Sequence, residues 1–344
     1  MLPALVEGLR KLTRGSCIPT FDGFVMESSV RTSSKLLIIF LLLALIPSCE
    51  KGDDPVSPSA TDWEGHSPNF NEAYRDTIIT HAANGLMLMH KDGSAGRVVR
   101  EHPVYISFAS WSPRKWKIYF AEGPEVLGHG NSLYVMNADG TDPHLVTATP
   151  EYYQHAVMSP DGQKIAYIAI DTTDSYMNKG KVKVMNPDGT GVRELTPRVV
   201  GVNAVTWSAD SRQIIYSDQD SVQCRISAVS IDGSGQRVLY STKGSCDYPA
   251  LSPDGTLLAF SGFVPGVANQ KIVLLDMRSL KPTTLTGGTT QDSQPSWSTD
   301  SRELMYASSQ GMSNPQIWKT GVSGQTPVSI TSPQTSCSRP CWYK

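Results

Sequence analysis

Short bursts of alternating apolar and polar residues run along most of the chain. In KIAYI (164–168) and LYVMN (133–137) every second side chain falls on one side, the period of a half-buried strand. Between such bursts stand Asp-Gly pairs, whose glycine supplies the positive φ of a tight hairpin turn at little steric cost. The pattern predicts many short antiparallel strands.

The bursts repeat. Five segments carry a W-S-x-D-G-like turn followed by a strand: WSPRKWKIYF, MSPDGQKIAYI, WSADSRQIIYS, LSPDGTLLAF and WSTDSRELMYA. Their lead residues, Trp111, Met158, Trp207, Leu251 and Trp297, are spaced by 47, 49, 44 and 46, and a sixth lead, Trp342, follows after 45. In phase with them run LMLMHKDGS, LYVMNADGT, VKVMNPDGT and ISAVSIDGS, whose aspartates are Asp92, Asp139, Asp188 and Asp232. A unit of about 45 residues with these turns makes four strands, A to D, and one such sheet cannot bury both faces alone; sheets arranged around an axis bury each other.

The phase of the two ends sharpens this reading. Residues 77–100 supply strands B, C and D without an A, and Ser338–Lys344 supply an A with nothing after it. The expected fold is therefore all-β, a six-bladed β-propeller over residues 74–344. It closes by pairing the N-terminal strands B–D with the C-terminal strand A, which removes exposed edges. The leading Trp and Leu residues are expected to be blade-packing core. Together W-S-P-D-G and I-Y-V-M-N-x-D-G-T resemble the TolB-like family of β-propeller repeats, loosely related to WD-type repeats. The resemblance covers roughly residues 74–344 and is specific for the fold. It implies an envelope binding scaffold by analogy, because propellers host many unrelated activities. The separate N-terminal domain of TolB itself is replaced here by a short polar segment.

That segment follows an address. Arg31 and Lys35 precede an apolar run, Leu36–Ile46, and then Pro47-Ser48-Cys49. A basic region, a short apolar core and a small residue before a cleavage point describe a secretory signal. Eleven residues of helix rise about 16 Å, well short of a bilayer's hydrocarbon layer. The ending L-I-P-S-C resembles the lipobox of bacterial lipoproteins, which implies that Cys49 is acylated and that the membrane is reached only through that lipid. Met26 lies at a natural distance upstream, so residues 1–25 read as an over-extended start, 26–48 as signal peptide and 49–73 as a flexible tether. The expected location is the bacterial cell envelope, as an outer-membrane lipoprotein facing periplasm or cell surface. Glu50, Asp53 and Asp54 raise the surface option.

Charge and chemistry narrow the function. With 30 Lys+Arg against 32 Asp+Glu the chain lacks the basic surface that non-specific nucleic-acid binding requires. No nucleophile elbow, zincin helix, phosphate-binding loop or dinucleotide fingerprint occurs, and the seven histidines show no metal-ligand spacing. No catalytic residue, cofactor or metal is assigned, and the protein is expected to be a monomer. The aspartates of the turns are read as turn formers ahead of calcium ligands. Of the cysteines, Cys224 and Cys246 fall in neighbouring loops on one face and are expected to form a disulfide. Cys337 and Cys341 stand about 13 Å apart on an extended strand, too far to bridge unless the strand bends at Pro340.

Strand A starts and B–C loops share one face. Counting back from the six leads gives two rows there: Phe108, His155, Ala204, Tyr248, Gln294 and Arg339, and one position earlier Ser107, Gln154, Asn203, Asp247, Ser293 and Ser338. Alternation lets only one row face a central channel fully. Polar groups at a channel mouth can fix a ligand's orientation, with His155, Asp247, Tyr248 and Arg339 as expected specific contacts. The B–C loops, dissimilar in length and sequence, extend that face. The expected function is a lipid-anchored, non-catalytic envelope scaffold for a protein or glycan partner. The alternative is a lyase-type propeller enzyme acting in the central pocket.

Overall fold

The computed structural model describes residues 77–342, apart from 83–84, 102–104, 114–115, 124–130, 148–150, 171–178, 198, 264–265, 311–313 and 333–335. The expected signal, Cys49 and the tether lie outside these residues. The described chain is all strand and turn, in six antiparallel sheets. Their A strands are Tyr105–Trp111, Tyr152–Met158, Val205–Trp207, Cys246–Leu251, Gln291–Trp297 and Cys337–Trp342, which we number blades 1 to 6. Each A strand forms one edge of its sheet and neighbours the A strand of the next blade, blade 6 neighbouring blade 1, so the six close a ring. Blade 6 joins the two ends of the chain: Cys337–Trp342 pairs antiparallel with Thr77–Ala82, Ile78 opposite Trp342 and Ala82 opposite Cys337. Blade 2 carries one addition to the four-strand plan, Val199–Val200, which pairs with the start of strand C at Lys179 and Gly180.

Core forms between blades. Tyr119, Leu133 and Val135 of blade 1 pack with Tyr153, Ile165 and Tyr167 of blade 2, and equivalent clusters fill the later junctions. The leads are buried as expected, Trp297 and Trp342 almost completely. Beyond apolar area they tie blades by a polar contact that alternates around the ring. Trp111, Trp207 and Trp297 donate their indole N–H to the carbonyls of Cys341, Val157 and Ala250, each one residue before the lead of the preceding blade. At two intervening junctions the groups swap while the direction stays the same: the Leu251 and Trp342 backbone N–H groups donate to Thr206 Oγ1 and Ser296 Oγ at the same position.

The Asp-Gly turns do two jobs. Gly140 and Gly189 have φ of 90° and 82°, and a Cβ on either would collide with the carbonyl oxygen of the preceding blade's outer strand, Val99 or Val146. The turn aspartates are spent locally: Asp139 Oδ1 accepts from Thr141 N and Oγ1, and Asp188 Oδ1 from Thr190 likewise. Cys224 and Cys246 form the expected disulfide, stapling strand C of blade 3 to strand A of blade 4. Cys337 and Cys341 are not joined in a disulfide; although Cys337–Trp342 does bend, Cys341 still pairs with Ile79 and Cys337 with Ala82.

Candidate functional site

Strand A is irregular at the two predicted rows in every blade where it is paired that far. Register shifts fall at Ser107, at Gln154, between Asp247 and Ala250, between Ser293 and Ser296, and between Ser338 and Cys341. Each is a β-bulge, an extra residue that breaks alternation and re-aims side chains. In blades 4, 5 and 6 the bulge residue is left-handed: Tyr248, Gln294 and Arg339 have φ of 54°, 58° and 51°. Each precedes a proline, Pro249, Pro295 or Pro340. Proline has no N–H for the ladder and is tolerated in a sheet chiefly at edges and bulges. The bulge breaks the alternation of strand A at these positions, so the two rows do not simply face opposite sides.

Around the ring the rows are stitched together. His155 Nδ1 accepts the Val205 N–H (3.4 Å). Asn203 donates its amide to Asp247 Oδ1 (2.7 Å), and Gln270 donates to Asp247 Oδ2 (3.0 Å) and to Ser245 Oγ (2.7 Å). The Gln294 N–H reaches Ser261 Oγ (3.0 Å), and its side-chain Oε1 accepts the Arg339 N–H (2.9 Å). The Ser338 carbonyl accepts from Thr80 Oγ1. Gln154 Oε1 is a buried acceptor without a partner.

Not every predicted residue is equally available. Gln154, His155, Asn203, Tyr248, Ser293, Gln294 and Arg339 are half-buried. Ser107 is buried, its hydroxyl committed to the Tyr153 carbonyl and reached by the Asn131 amide. It holds blade 1 to blade 2. Phe108 and Ala204 are also buried; Phe108 lies against His155 with ring centroids 6.0 Å apart.

Burial sets the charges. The His155 pKa falls to about 4, first because protein encloses the ring and then because the Arg339 cation opposes a second charge. With Val205 donating to Nδ1, the neutral ring carries its proton on Nε2. Burial pushes the Asp247 carboxyl above the usual carboxylate range, against hydrogen bonds from Asn203, Gln270 and Ser245 that pull it down. One pair escaped sequence reasoning: Lys271, fully buried, bonds Asp292 Oδ2 (3.3 Å) and the Thr290 carbonyl, while Ser308 caps Asp292 Oδ1 (2.7 Å). These residues share no motif and lie 21 positions apart, so only the fold joins them. Among the described residues no three His, Cys, Asp or Glu side chains are grouped as metal ligands would be.

A family model described as the TolB beta propeller domain matches residues 164–344, just over half of the sequence. The chain belongs to the TolB β-propeller family. Among solved structures it is similar to TolB from Acinetobacter baumannii (18% identity, TM-score 0.67, 78% of this chain and 67% of that one). It is also similar to a putative TolB from Agrobacterium tumefaciens (19%, TM-score 0.60, 75% and 88%). A chain of a nidogen/laminin complex matches as well (12%, TM-score 0.61, 77% and 97%). At these identities the likeness is one of fold.

Proposed function

We propose that this TolB-like propeller is a lipid-anchored, non-catalytic scaffold of the bacterial cell envelope that binds a protein partner across its channel mouth. The observation that carries the reading is the half-ring of bulges at Tyr248, Gln294 and Arg339. A left-handed non-glycine residue costs on the order of 1 kcal/mol or more, and such residues gather at binding sites. Three at equivalent positions of adjacent blades serve one surface. On the same face, Val222 and Phe263 in the B–C loops of blades 3 and 4 are exposed, apolar contacts that a protein partner would cover. The nidogen/laminin complex supports the reading as a propeller that engages a protein. The anchor rests on the Leu45–Cys49 sequence, and the envelope location follows from it.

The test has two arms. The acylated protein is used to capture partners from its own cell envelope, beside Tyr248→Ala/Phe263→Ala with folding checked by circular dichroism; equal capture by both removes the mouth from the reading. Cys49→Ala should abolish fatty-acid labelling and release or stall the protein. Labelling that persists would place the anchor elsewhere.

A further inference from the structure

Beyond the channel mouth, we propose that the outer edge of blade 3 receives an extended segment of a partner polypeptide as an added strand. The segment carries β-branched side chains between acidic ends. Strand D of this blade, Arg237–Thr242, forms the outside of its sheet and pairs with strand C, Cys224–Ser230. Among the described residues no backbone group from elsewhere bonds to it. An edge strand turns about every second N–H and C=O away from its own sheet, where another extended chain can pair with them.

The other outer strands are blunted. Those of blades 1, 2 and 5 are two residues long, His144–Leu145, Arg193–Glu194 and Val328–Ser329. Blade 4 has Pro282–Thr284, which opens on a proline. Blade 6 has Arg97–Glu101, where Arg97, Arg100 and Glu101 are charged. Short length, proline and charge are the means by which edges resist pairing. Blade 3 lacks all of them: its strand has six residues, RVLYST, with no proline and a charge only at the first position.

The inner side fixes that edge. A bulge falls between Val238 and Tyr240, with Leu239 buried and Val238 54% exposed. Residues 240–242 keep a regular register beyond it, so an added strand would pair along them and meet Val238 at the bulge. The Tyr240 ring lies 5.1 Å from that of Phe260 in blade 4. Thr242 stands opposite Cys224, whose disulfide to Cys246 ties the two blades. Backbone already held in place loses little freedom when a strand is added.

Charge chooses the occupant. From Gly233 to Cys246 the chain holds Arg237 and Lys243 and no acid. Arg237 donates to Gln213 Oε1 (3.0 Å) and Lys243 is exposed, and neither meets a carboxylate among the described residues. Asp232, in the turn before the strand, is engaged by Ser234. A second copy of the strand, set antiparallel, would bring Arg237 toward Lys243 and gather cations without an acid. A segment with β-branched residues beside Val238 and acids at its ends answers both features.

The test titrates the full chain with three peptides: acetyl-Glu-Val-Thr-Val-Thr-Val-Glu-amide, its counterpart with lysine for glutamate, and the first peptide with proline at its central residue. Amide hydrogen exchange over residues 236–243, read by mass spectrometry, should slow on the order of tenfold with the acidic peptide and stay near its free rate with the other two. Val238→Glu, at an exposed side chain, should keep the wild-type melting temperature yet weaken binding of the acidic peptide about tenfold or more by like charge. Ser241→Glu, also exposed, serves if that variant melts early. Val328→Glu, on the blade 5 edge, should leave binding unchanged. No protection in the wild type, equal protection by the lysine or proline peptide, or an unaltered constant in the folded edge variant overturns the proposal. Protection that rises with protein concentration in the absence of peptide gives the edge to a second copy and overturns the partner assignment. Tyr248→Ala/Phe263→Ala should bind the acidic peptide as the wild type does, which separates this surface from the mouth; loss of binding there would move the peptide to the mouth and overturn the edge site.

Discussion

Two tryptophans at equivalent positions of adjacent blades should respond unequally to the same substitution. Trp297 and Trp342 are leads of blades 5 and 6, and both are essentially buried. Trp297 donates its indole N–H to the Ala250 carbonyl at 2.8 Å. The Trp342 indole N–H is buried with no acceptor, because that junction uses its backbone N–H and Ser296 Oγ. Changing either to Phe removes a similar volume from a similar junction, so the packing losses cancel to first order. What differs is the polar group. Trp297→Phe loses a net hydrogen bond of about 1 kcal/mol and strands part of a carbonyl, whereas Trp342→Phe removes a donor whose burial already costs about 1–3 kcal/mol.

The double difference is therefore about 2–4 kcal/mol, with Trp297→Phe the less stable. At roughly 2–4 °C per kcal/mol for a domain of this size, the two melting temperatures should separate by roughly 4–16 °C. Urea unfolding followed by circular dichroism gives the free energies, and equal slopes confirm that the same surface unfolds. Equal midpoints, or a lower one for Trp342→Phe, would refute the alternating pattern of junction contacts.

Three further outcomes follow from the same physics. His155 has a folded pKa of about 4, below its unfolded value of 6.5, so its contribution is full above pH 6.5 and is lost as pH falls toward 4. His155→Gln should recover on the order of 3 kcal/mol relative to wild type between pH 7 and pH 4, and parallel stability curves would sink this. Replacing Cys224 and Cys246 by serine opens a loop of 22 residues and should cost about 3 kcal/mol, read from denaturant midpoints with and without reductant. Gly140→Ala meets both a positive φ and the Val99 carbonyl, so it should destabilise by more than the ~1 kcal/mol of backbone strain alone; a loss under that figure would show that blades 6 and 1 can part there.

Much of the fold was legible because each blade repeats the same physical problem. A lead residue must fill a junction, an alternating strand must bury one face, and an Asp-Gly turn must let the next sheet approach. These needs recur every 45 residues or so, and the repeat exposes them even where a single copy, such as Leu251 for Trp, departs from type. The offset of the two ends was enough to place Cys337–Trp342 beside Thr77–Ala82. The site was legible in part. Counting back from the leads found residues that bond from blade to blade, such as Asn203 with Asp247 and Gln294 with Arg339, but assumed an unbroken period of two. The bulges break that period at Ser107, Gln154 and the X-Pro steps, and burial then divides the rows unevenly: Ser107 and Asp247 go inward, His155 and Arg339 stay half-open. Gln270 and Asn131, which organise the network, carry no repeat signal, since they sit at the ends of B–C loops that differ in every blade.

The cue that sequence did hold was proline. Tyr248-Pro249, Gln294-Pro295 and Arg339-Pro340 occur at the same phase in blades 4, 5 and 6, while blades 1, 2 and 3 have Phe108-Ala109, His155-Ala156 and Ala204-Val205 there. A proline in strand A cannot donate to strand B, so its blade must bulge, and the preceding residue is driven out of the right-handed helical region. Blades without that proline can bulge, as blades 1 and 2 do, but keep the residue on the ordinary side of φ. The ring is thus built in two halves. One half presents Tyr248, Gln294 and Arg339 from strained, fixed backbone; the other presents His155 and Asn203 from relaxed strands pinned by Val205 and Asp247. A partner entering such a mouth meets preorganised donors on one side and a compliant polar wall on the other. Preorganisation lowers the entropy lost on binding only where the backbone is already fixed. The Arg339 side of the channel is accordingly where substitutions should act most strongly on affinity, and the Asn203 side where they should act on fit.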